Sequence, residues 1–186
     1  MAALVLSDQD DKSELRLHLE ELISNCLSER GLQTSRIRVG RNDLGFCMGC
    51  FGCWVRKPGE CVIGDAMGEI NRQCMNSDVV VYLSPVVFGQ FSANLKNVID
   101  RWLPNMLPFF ETNPDGSTIH PSRYASNPCQ FMIGYGQNVT EEDAQLFCDI
   151  TQKHRNKTEA LVYRGDDTQI IGALSRMKLE RVSGQL

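Results

Sequence analysis

The sequence lacks a hydrophobic run long enough to cross a bilayer, because no stretch approaches about 20 apolar residues. It also lacks clustered Lys and Arg, and its formal net charge of −4 argues against a nucleic-acid partner. The apolar stretch 1–6 is too short for the core of a signal peptide and runs directly into acidic residues. No Gly-x-Gly-x-x-Gly motif is present, which excludes a separate dinucleotide-binding domain. We therefore expect a cytoplasmic protein that binds neither membranes nor nucleic acid.

Cysteine, in contrast, is abundant: the chain has eight, and four of them fall between residues 47 and 61. In a reducing compartment such residues are free thiols or metal ligands rather than a disulfide framework. The spacing of Cys47, Cys50 and Cys53 suits three corners of a 4Fe–4S cluster, with Cys61 as a fourth ligand. Zinc is disfavoured, since structural zinc sites commonly use two separated Cys-x2-Cys pairs. On spacing alone, a cluster, zinc and metal-free thiols all stay open.

Apolar runs and helical periodicity alternate five times along the chain. Strands are predicted at 2–6, 32–39, 79–83, 129–135 and 160–163, and helices at 13–31, 65–76, 93–103, 140–150 and 168–179. This alternation is typical of a doubly wound, parallel α/β sheet. The Pro-rich segment after the third helix is long, and such loops are more often lids or subunit contacts than filler. We predict a single domain over 1–186 with a long irregular loop at 104–128. The remaining cysteines are expected in the core, namely Cys26, Cys74, Cys129 and Cys148.

Four loops leave the carboxyl ends of the predicted strands: 7–12, 84–91, 134–139 and the cysteine loop. Ligands of such sheets bind at these ends, where the strand order reverses. The convergence of the four loops therefore predicts a binding site. The three histidines are scattered and are expected in solvent. Asp100 and Arg101 are predicted to form an ion pair at the end of a helix.

Two adjoining motifs resemble a known family. The first is Cys47-x-Gly-Cys-Phe-x-Cys-Trp-Val-Arg-Lys-Pro-Gly-Glu-Cys61, and the second is Ser84-Pro-Val-Val-Phe-Gly-Gln-Phe-Ser-Ala-Asn-Leu-Lys96. Together they resemble the NADPH-dependent FMN reductase and iron–sulfur flavoprotein group. The resemblance implies a flavodoxin-like three-layer sandwich with a five-stranded parallel sheet in the order 2-1-3-4-5. It also implies an FMN-dependent oxidoreductase that takes electrons from NAD(P)H, passes them to a small-molecule or protein acceptor, and assembles as a homodimer or homotetramer.

The same resemblance implies which residues hold the cofactor. In the family, the Ser-Pro-x-x-Phe-Gly loop holds the flavin ring and the first loop holds the FMN phosphate. The implied cofactor-binding residues are Ser7, Ser13, Pro85, Val86, Val87, Phe88, Gly89, Gly134, Tyr135 and Gly136. No amino acid is implied as the acid or base of the hydride step. In the iron–sulfur alternative, Cys47, Cys50, Cys53 and Cys61 would be the 4Fe–4S ligands.

The first loop departs from the family pattern. Relatives carry a sequence like Gly-Ser-Pro-Arg-x-x-Gly-Asn there, whereas this chain has Ser7-Asp-Gln-Asp-Asp-Lys-Ser13. Three carboxylates thus stand where the family binds a phosphate, and a helix N-terminus favours either group. Three functions stay open: an FMN-dependent reductase, an iron–sulfur electron carrier, and a flavodoxin-like protein that has lost FMN-phosphate binding.

Overall fold

Five parallel strands form the central sheet. The structure is a computed structural model that describes residues 1–154 and 158–183. The strands are β1 (Ala2–Asp8), β2 (Gln33–Val39), β3 (Val79–Val87), β4 (Cys129–Tyr135) and β5 (Glu159–Val162). They lie in the order β2-β1-β3-β4-β5, so the order reverses between β1 and β3. This arrangement confirms the flavodoxin-like fold and the predicted order of its parallel strands.

Helices cover both faces of the sheet. They are α1 (Glu14–Glu29), α2 (Gly52–Val55), α3 (Met67–Asn76), α4 (Ala93–Asp100), α5 (Glu141–His154) and α6 (Asp167–Arg176), with a 3-10 turn at Leu103–Asn105. Side chains of successive strand residues point to opposite faces of the sheet. One buried cluster therefore joins the sheet to α1 and α6, and a second joins it to α3, α4 and α5. The result is a three-layer α/β/α architecture.

Local sequence signals account for several helix ends. Ser13 caps α1 by accepting a hydrogen bond from the Arg16 backbone N–H at 3.2 Å. Ser92 caps α4 in the same way, with the Leu95 N–H as donor. Gly31 follows α1 with φ of +80°, a conformation that glycine adopts without steric cost. All three signals are local to the sequence: Ser13 and Ser92 mark the starts of helices, and Gly31 marks a stop.

Apart from helix ends that shift by up to four residues, the structure differs from the predicted elements in three places. β3 does not end at residue 83 but continues to Val87, and Gln90–Phe91 folds back on it as a short antiparallel sixth strand of the sheet. The cysteine loop contains the unpredicted helix α2. The segment 104–128 is only partly irregular, because Glu111–Thr112 pairs with Thr118–Ile119 and Ser126–Asn127 pairs with Val182–Ser183. Within the described residues, no helix has the length and apolar character needed to span a membrane.

Candidate active site at the carboxyl edge of the sheet

The predicted loops do meet at the carboxyl edge of the sheet. The β1–α1 loop, the turn after β3 and the loop after β4 lie on neighbouring strands, and the cysteine segment follows β2. Side-chain hydrogen bonds join the first loop to both of its neighbours: Asn94 of α4 donates to Asp8 at 2.8 Å, and Tyr135 of β4 donates to Asp11 at 2.6 Å. The reversal of strand order between β1 and β3 therefore has a set of converging polar groups above it, as ligand sites of this architecture do.

In the first loop, the carboxylate of Asp11 accepts several hydrogen bonds. The Asp11 carboxylate accepts hydrogen bonds from the Ser13 backbone N–H and the Ser13 hydroxyl, each at 2.9 Å, and from the Tyr135 hydroxyl. Burial alone would raise the pKa of Asp11, but these hydrogen bonds and the charge of Arg16 outweigh it and lower the pKa. Asp11 is therefore ionised at neutral pH, directly at the N-terminus of α1.

A buried ionic network lies beneath this loop. Arg16 is 4% exposed; its guanidinium donates to the Asp11 main-chain carbonyl at 2.6 Å and pairs with Glu20. Glu20 is 1% exposed and also accepts from Arg38 at 2.7 Å and from the Ser7 hydroxyl. Although burial raises the pKa of Glu20, its hydrogen bonds to Arg38, Ser7 and Arg16 leave that pKa lowered. Ser7 thus belongs to this network: it is buried, and its hydroxyl donates to Glu20.

The other two carboxylates of the loop, those of Asp8 and Asp10, accept hydrogen bonds from the Asn94 side chain and from backbone N–H groups. Asp8 accepts from the Asp10 backbone N–H at 2.9 Å and from the Asn94 amide at 2.8 Å. Asp10 accepts from the same amide at 3.0 Å and from the Arg41 backbone N–H at 2.9 Å. These hydrogen bonds lower the pKa of Asp10. The acidic loop is therefore a hydrogen-bonded unit that is tied to α4 and to the turn after β2.

The turn after β3 presents an aromatic ring to solvent. Phe88 and Gly89 have φ values of +50° and +69°, both in the left-handed region. The Phe88 side chain is 90% exposed. A Cβ at Gly89 would lie 2.6 Å from Leu146 of α5, so only glycine fits there. The Ser84 hydroxyl accepts from the Ser92 backbone N–H at 2.9 Å and holds the two ends of the turn together.

The remaining implied ring-binding residues lie on either side of this turn. Pro85 and Val86 are half-buried in β3, and Val87 is exposed. On β4, Gly134 is buried and a Cβ there would lie 2.7 Å from the Val86 side chain. Tyr135 is 2% exposed, whereas Gly136 is half-buried at the start of the following loop. Surface that could meet a ligand is thus offered mainly by the turn at Val87–Gly89, which carries the exposed side chains.

The cysteine loop borders a small cavity. Cys47, Cys50, Cys53 and Cys61 are all among the residues that line it, and Arg101 and the 3-10 turn also border it. Burial raises the pKa of Cys53, and the neighbouring charges of Cys61, Cys47 and Cys50 raise it further. Gly52 is required inside the loop, since a Cβ there would lie 2.7 Å from Val62. In the described part of the chain, no group of three or more His, Cys, Asp or Glu side chains is arranged to hold a metal ion.

Arg101 is the buried cation of this region. Its side chain is 1% exposed, and its guanidinium forms an ion pair with Asp65 and a hydrogen bond to the Cys61 sulfur at 3.2 Å. Burial acts to lower the pKa of Arg101, but the contacts with Asp65 and Cys61 outweigh it and raise the pKa. The predicted Asp100–Arg101 pair is therefore wrong. Asp100 instead pairs with Lys96 one helical turn away, on the exposed face of α4.

Part of the long loop packs directly on the cysteine loop. The Trp54 indole N–H donates to the Leu103 carbonyl at 3.0 Å, and its ring lies 4.9 Å from the His120 ring, centroid to centroid. His120 in turn contacts the Phe110 ring at 4.6 Å and hydrogen-bonds to the Phe109 carbonyl. His120 is thus held by neighbours rather than free in solvent, whereas His18 is exposed, as predicted, and contacts Asp167. The side chain of His154 lies outside the described residues.

Sequence reasoning missed four polar residues that organise the site: Asn94, Arg16, Glu20 and Asp65. The partners of Asn94 and Asp65 are distant along the chain. Asn94 lies 86 residues from Asp8, and Asp65 lies 36 residues from Arg101. The i,i+4 spacing of Arg16 and Glu20 on α1 was the one signal that could have identified a pair.

Comparison with known proteins gives consistent results. A family model described as NADPH-dependent FMN reductase matches residues 1–111. An iron–sulfur flavoprotein from Methanocaldococcus jannaschii is 34% identical over 95 residues, which are 51% of this chain and 48% of that protein. An iron–sulfur flavoprotein from Archaeoglobus fulgidus is 35% identical over 78 residues, which are 42% of this chain and 34% of that protein. The chain thus spans about half or less of the length of these relatives.

A solved structure extends the likeness to the whole fold. The NAD(P)H:quinone oxidoreductase from Methanothermobacter marburgensis superposes with a TM-score of 0.65 over 95% of this chain and 94% of its own. The two sequences are 14% identical, so this likeness concerns the fold alone. The sequence match over 1–111 contains the first loop, the cysteine loop and the turn after β3, and it ends before β4.

Proposed function

The chain belongs to the NADPH-dependent FMN reductase family, and on that premise we propose that it is a flavin-dependent oxidoreductase. In this proposal it takes electrons from NAD(P)H and passes them to a small-molecule or protein acceptor. A bound flavin would supply the hydride chemistry, because its ring accepts a hydride and releases electrons singly or in pairs. The task of the chain's own residues is to bind and orient that ring and to exclude water.

The observation that carries the proposal is the turn after β3. Its backbone leaves the sheet where the strand order reverses, and it exposes the apolar side chains of Val87 and Phe88 at the carboxyl edge of the sheet. Apolar surface of this kind suits a planar ring, while backbone groups of the turn suit its carbonyl edge. The left-handed conformation of Phe88 is costly for a non-glycine residue, and such strain concentrates at functional sites. The ring end of the site therefore fits a flavin.

A titration tests the proposal. Purified protein is titrated with FMN and separately with riboflavin, with flavin fluorescence as the readout, and anaerobic NADPH and NADH oxidation is then followed at saturating flavin. We expect saturable binding and flavin-dependent oxidation of at least one nicotinamide. The variant Gly89→Ala should weaken flavin binding at least tenfold, because its Cβ would collide with Leu146 and move the turn. Gly64→Ala is the matched control, since no atom lies within 4 Å of its Cβ. Protein that takes up neither flavin contradicts the proposal.

A second function has a specific observation in its favour. The four cysteines of the loop share one cavity, and relatives of this chain bear the name iron–sulfur flavoprotein. We propose as the alternative that the loop holds a 4Fe–4S cluster and that the protein carries electrons one at a time. Anaerobic purification followed by iron and acid-labile sulfide analysis tests it. We expect iron and sulfide in equal amounts in the wild type and in Cys129→Ser, and neither in Cys50→Ser. Protein purified without iron would contradict the cluster and indicate metal-free thiols.

Assembly and location are also proposals. Exposed apolar side chains cluster around the cysteine loop and the long loop, and they include Phe46, Met48, Phe109 and Phe110. Such a patch favours self-association, in keeping with the homodimer or homotetramer that the resemblance implies. Light scattering of the purified protein gives the mass directly. The cytoplasmic location expected from the sequence stays a prediction.

A further inference from the structure

The far end of the proposed flavin site does not fit a phosphate. In α/β proteins of this type, the phosphate of a nucleotide cofactor is bound by N–H groups at the N-terminus of the helix after β1. Here that helix is α1, with 16 residues, and its first turn faces the loop that carries three carboxylates. Like charges at contact distance repel by about 1 kcal/mol even in water, and more where solvent is reduced.

Three donors at this helix N-terminus are already paired with a carboxylate of the chain. The backbone N–H and hydroxyl of Ser13 and the hydroxyl of Tyr135 all donate to the Asp11 carboxylate, at 2.9, 2.9 and 2.6 Å. These are the donor types that commonly bind phosphate oxygens. A carboxylate that belongs to the chain therefore takes the position and the hydrogen bonds of a ligand anion.

A buried ionic network holds Asp11 in this arrangement. The buried Arg16 guanidinium donates to the main-chain carbonyl of Asp11 and pairs with Glu20, which also binds Arg38. The Arg16 guanidinium thus has its own buried counter-ion. Lys12 is directed to the Gln9 carbonyl instead. The loop 7–13 carries three carboxylates against the single cation of Lys12, so its formal charge of −2 opposes a bound phosphate dianion.

We propose that Asp11 is a built-in substitute for the flavin phosphate and that the site selects flavins without one. This inference rests on the proposed function, since it concerns the same site. Riboflavin ends in a hydroxyl, which can donate to a carboxylate, whereas the phosphate of FMN offers acceptors and negative charge. The flavin class that the site takes is therefore the unphosphorylated one.

The test compares two flavins on intact protein. The dissociation constants of riboflavin and FMN are measured by fluorescence titration at pH 7.5 and fixed salt, and their ratio is the readout. We expect wild-type protein to bind riboflavin at least tenfold more tightly than FMN. Asp11→Asn should improve FMN binding at least tenfold and change riboflavin binding less than threefold. Asp100→Asn removes an equal charge from the exposed face of α4 and should leave the ratio unchanged.

Each outcome has a distinct meaning. If the wild-type protein prefers FMN, the inference is overturned and the proposed function still stands. This outcome is measured on the wild type alone. A ratio that Asp11→Asn does not alter, in a variant with the thermal unfolding profile of the wild type, overturns the assignment to Asp11. If Asp11→Asn does not fold, Tyr135→Phe frees Asp11 from one donor and keeps the charge, so the preference for riboflavin should persist. Protein that binds neither flavin overturns the proposed function and this inference with it.

Discussion

The ion pair between Asp65 and Arg101 allows a quantitative prediction. The Arg101 side chain is 1% exposed and the Asp65 side chain 16%, so the variant Asp65→Asn leaves a guanidinium buried without its counter-charge. Asp65 also accepts hydrogen bonds from the backbone N–H groups of Gly45 at 2.8 Å and Met67 at 3.1 Å. Removing one partner of a buried pair costs about 3–5 kcal/mol, and we expect the low end, about 3 kcal/mol, because an asparagine oxygen can still accept one bond.

For a chain of this size, 1 kcal/mol corresponds to roughly 2–4 °C in Tm, so Asp65→Asn should unfold about 6–12 °C lower. Asp100→Asn is the matched control, since it removes the same charge from the half-exposed pair with Lys96, and such pairs contribute about 0.5 kcal/mol or less. Thermal unfolding followed by circular dichroism, with urea titration for the free energy, gives both values. Equal losses in the two variants, or a loss below about 1 kcal/mol for Asp65→Asn, would refute the reasoning that burial makes this pair matter.

Further predictions concern packing and pH. Gly134→Ala should destabilise the protein by about 1–3 kcal/mol in urea unfolding, because the new Cβ would lie 2.7 Å from Val86. Gly68→Ala lies in α3 with nothing within 4 Å of its Cβ, so it should instead stabilise the protein by about 0.5–1 kcal/mol. A stabilising Gly134→Ala or a destabilising Gly68→Ala would contradict the packing described. The lowered pKa values of Asp11 and Glu20 mean that these groups release protons on folding. Their contribution is present above the unfolded carboxyl pKa of about 4 and is lost as pH falls through the lower folded values. Urea midpoints should therefore be nearly constant from pH 7 to 6 and fall below about pH 4.5, whereas midpoints that hold to pH 3 would argue against these contacts.

The fold was largely predictable from the sequence because its signals are local. The buried strand at 79–83, the caps Ser13 and Ser92 and the stop at Gly31 each depend on neighbours in the chain, and all appear in the structure. The parallel sheet followed from the alternation of strands and helices, whereas the order of its strands was implied by the family resemblance. The extension of β3 to Val87 was missed because Pro85 and Gly89 indicate a turn, whereas pairing with Gln90–Phe91 and β4 decides the conformation.

The site was less predictable because its polar contacts are distant in sequence. That three carboxylates stand in the first loop was readable, but that Tyr135 donates to Asp11 across 124 residues was not. The same limit produced the wrong partner for Arg101, since Asp100 is adjacent in sequence while Asp65 is adjacent in space. Side-chain direction at the end of a helix is set by tertiary packing, which a single sequence does not reveal.

The contact between Trp54 and the long loop has a consequence for how this edge of the protein becomes ordered. Ordering a loop costs about 1–2 kcal/mol per residue in backbone entropy, and neither segment has a core of its own to offset that cost. The indole hydrogen bond to Leu103 and the ring contact with His120 offset part of this entropy cost for the cysteine loop and the long loop together. We therefore expect the two loops to protect their amides from hydrogen exchange as one cooperative unit. A single cut at the exposed turn around Gly116 should then loosen the walls of the cysteine cavity, although that turn lies 55 residues beyond Cys61 in the sequence.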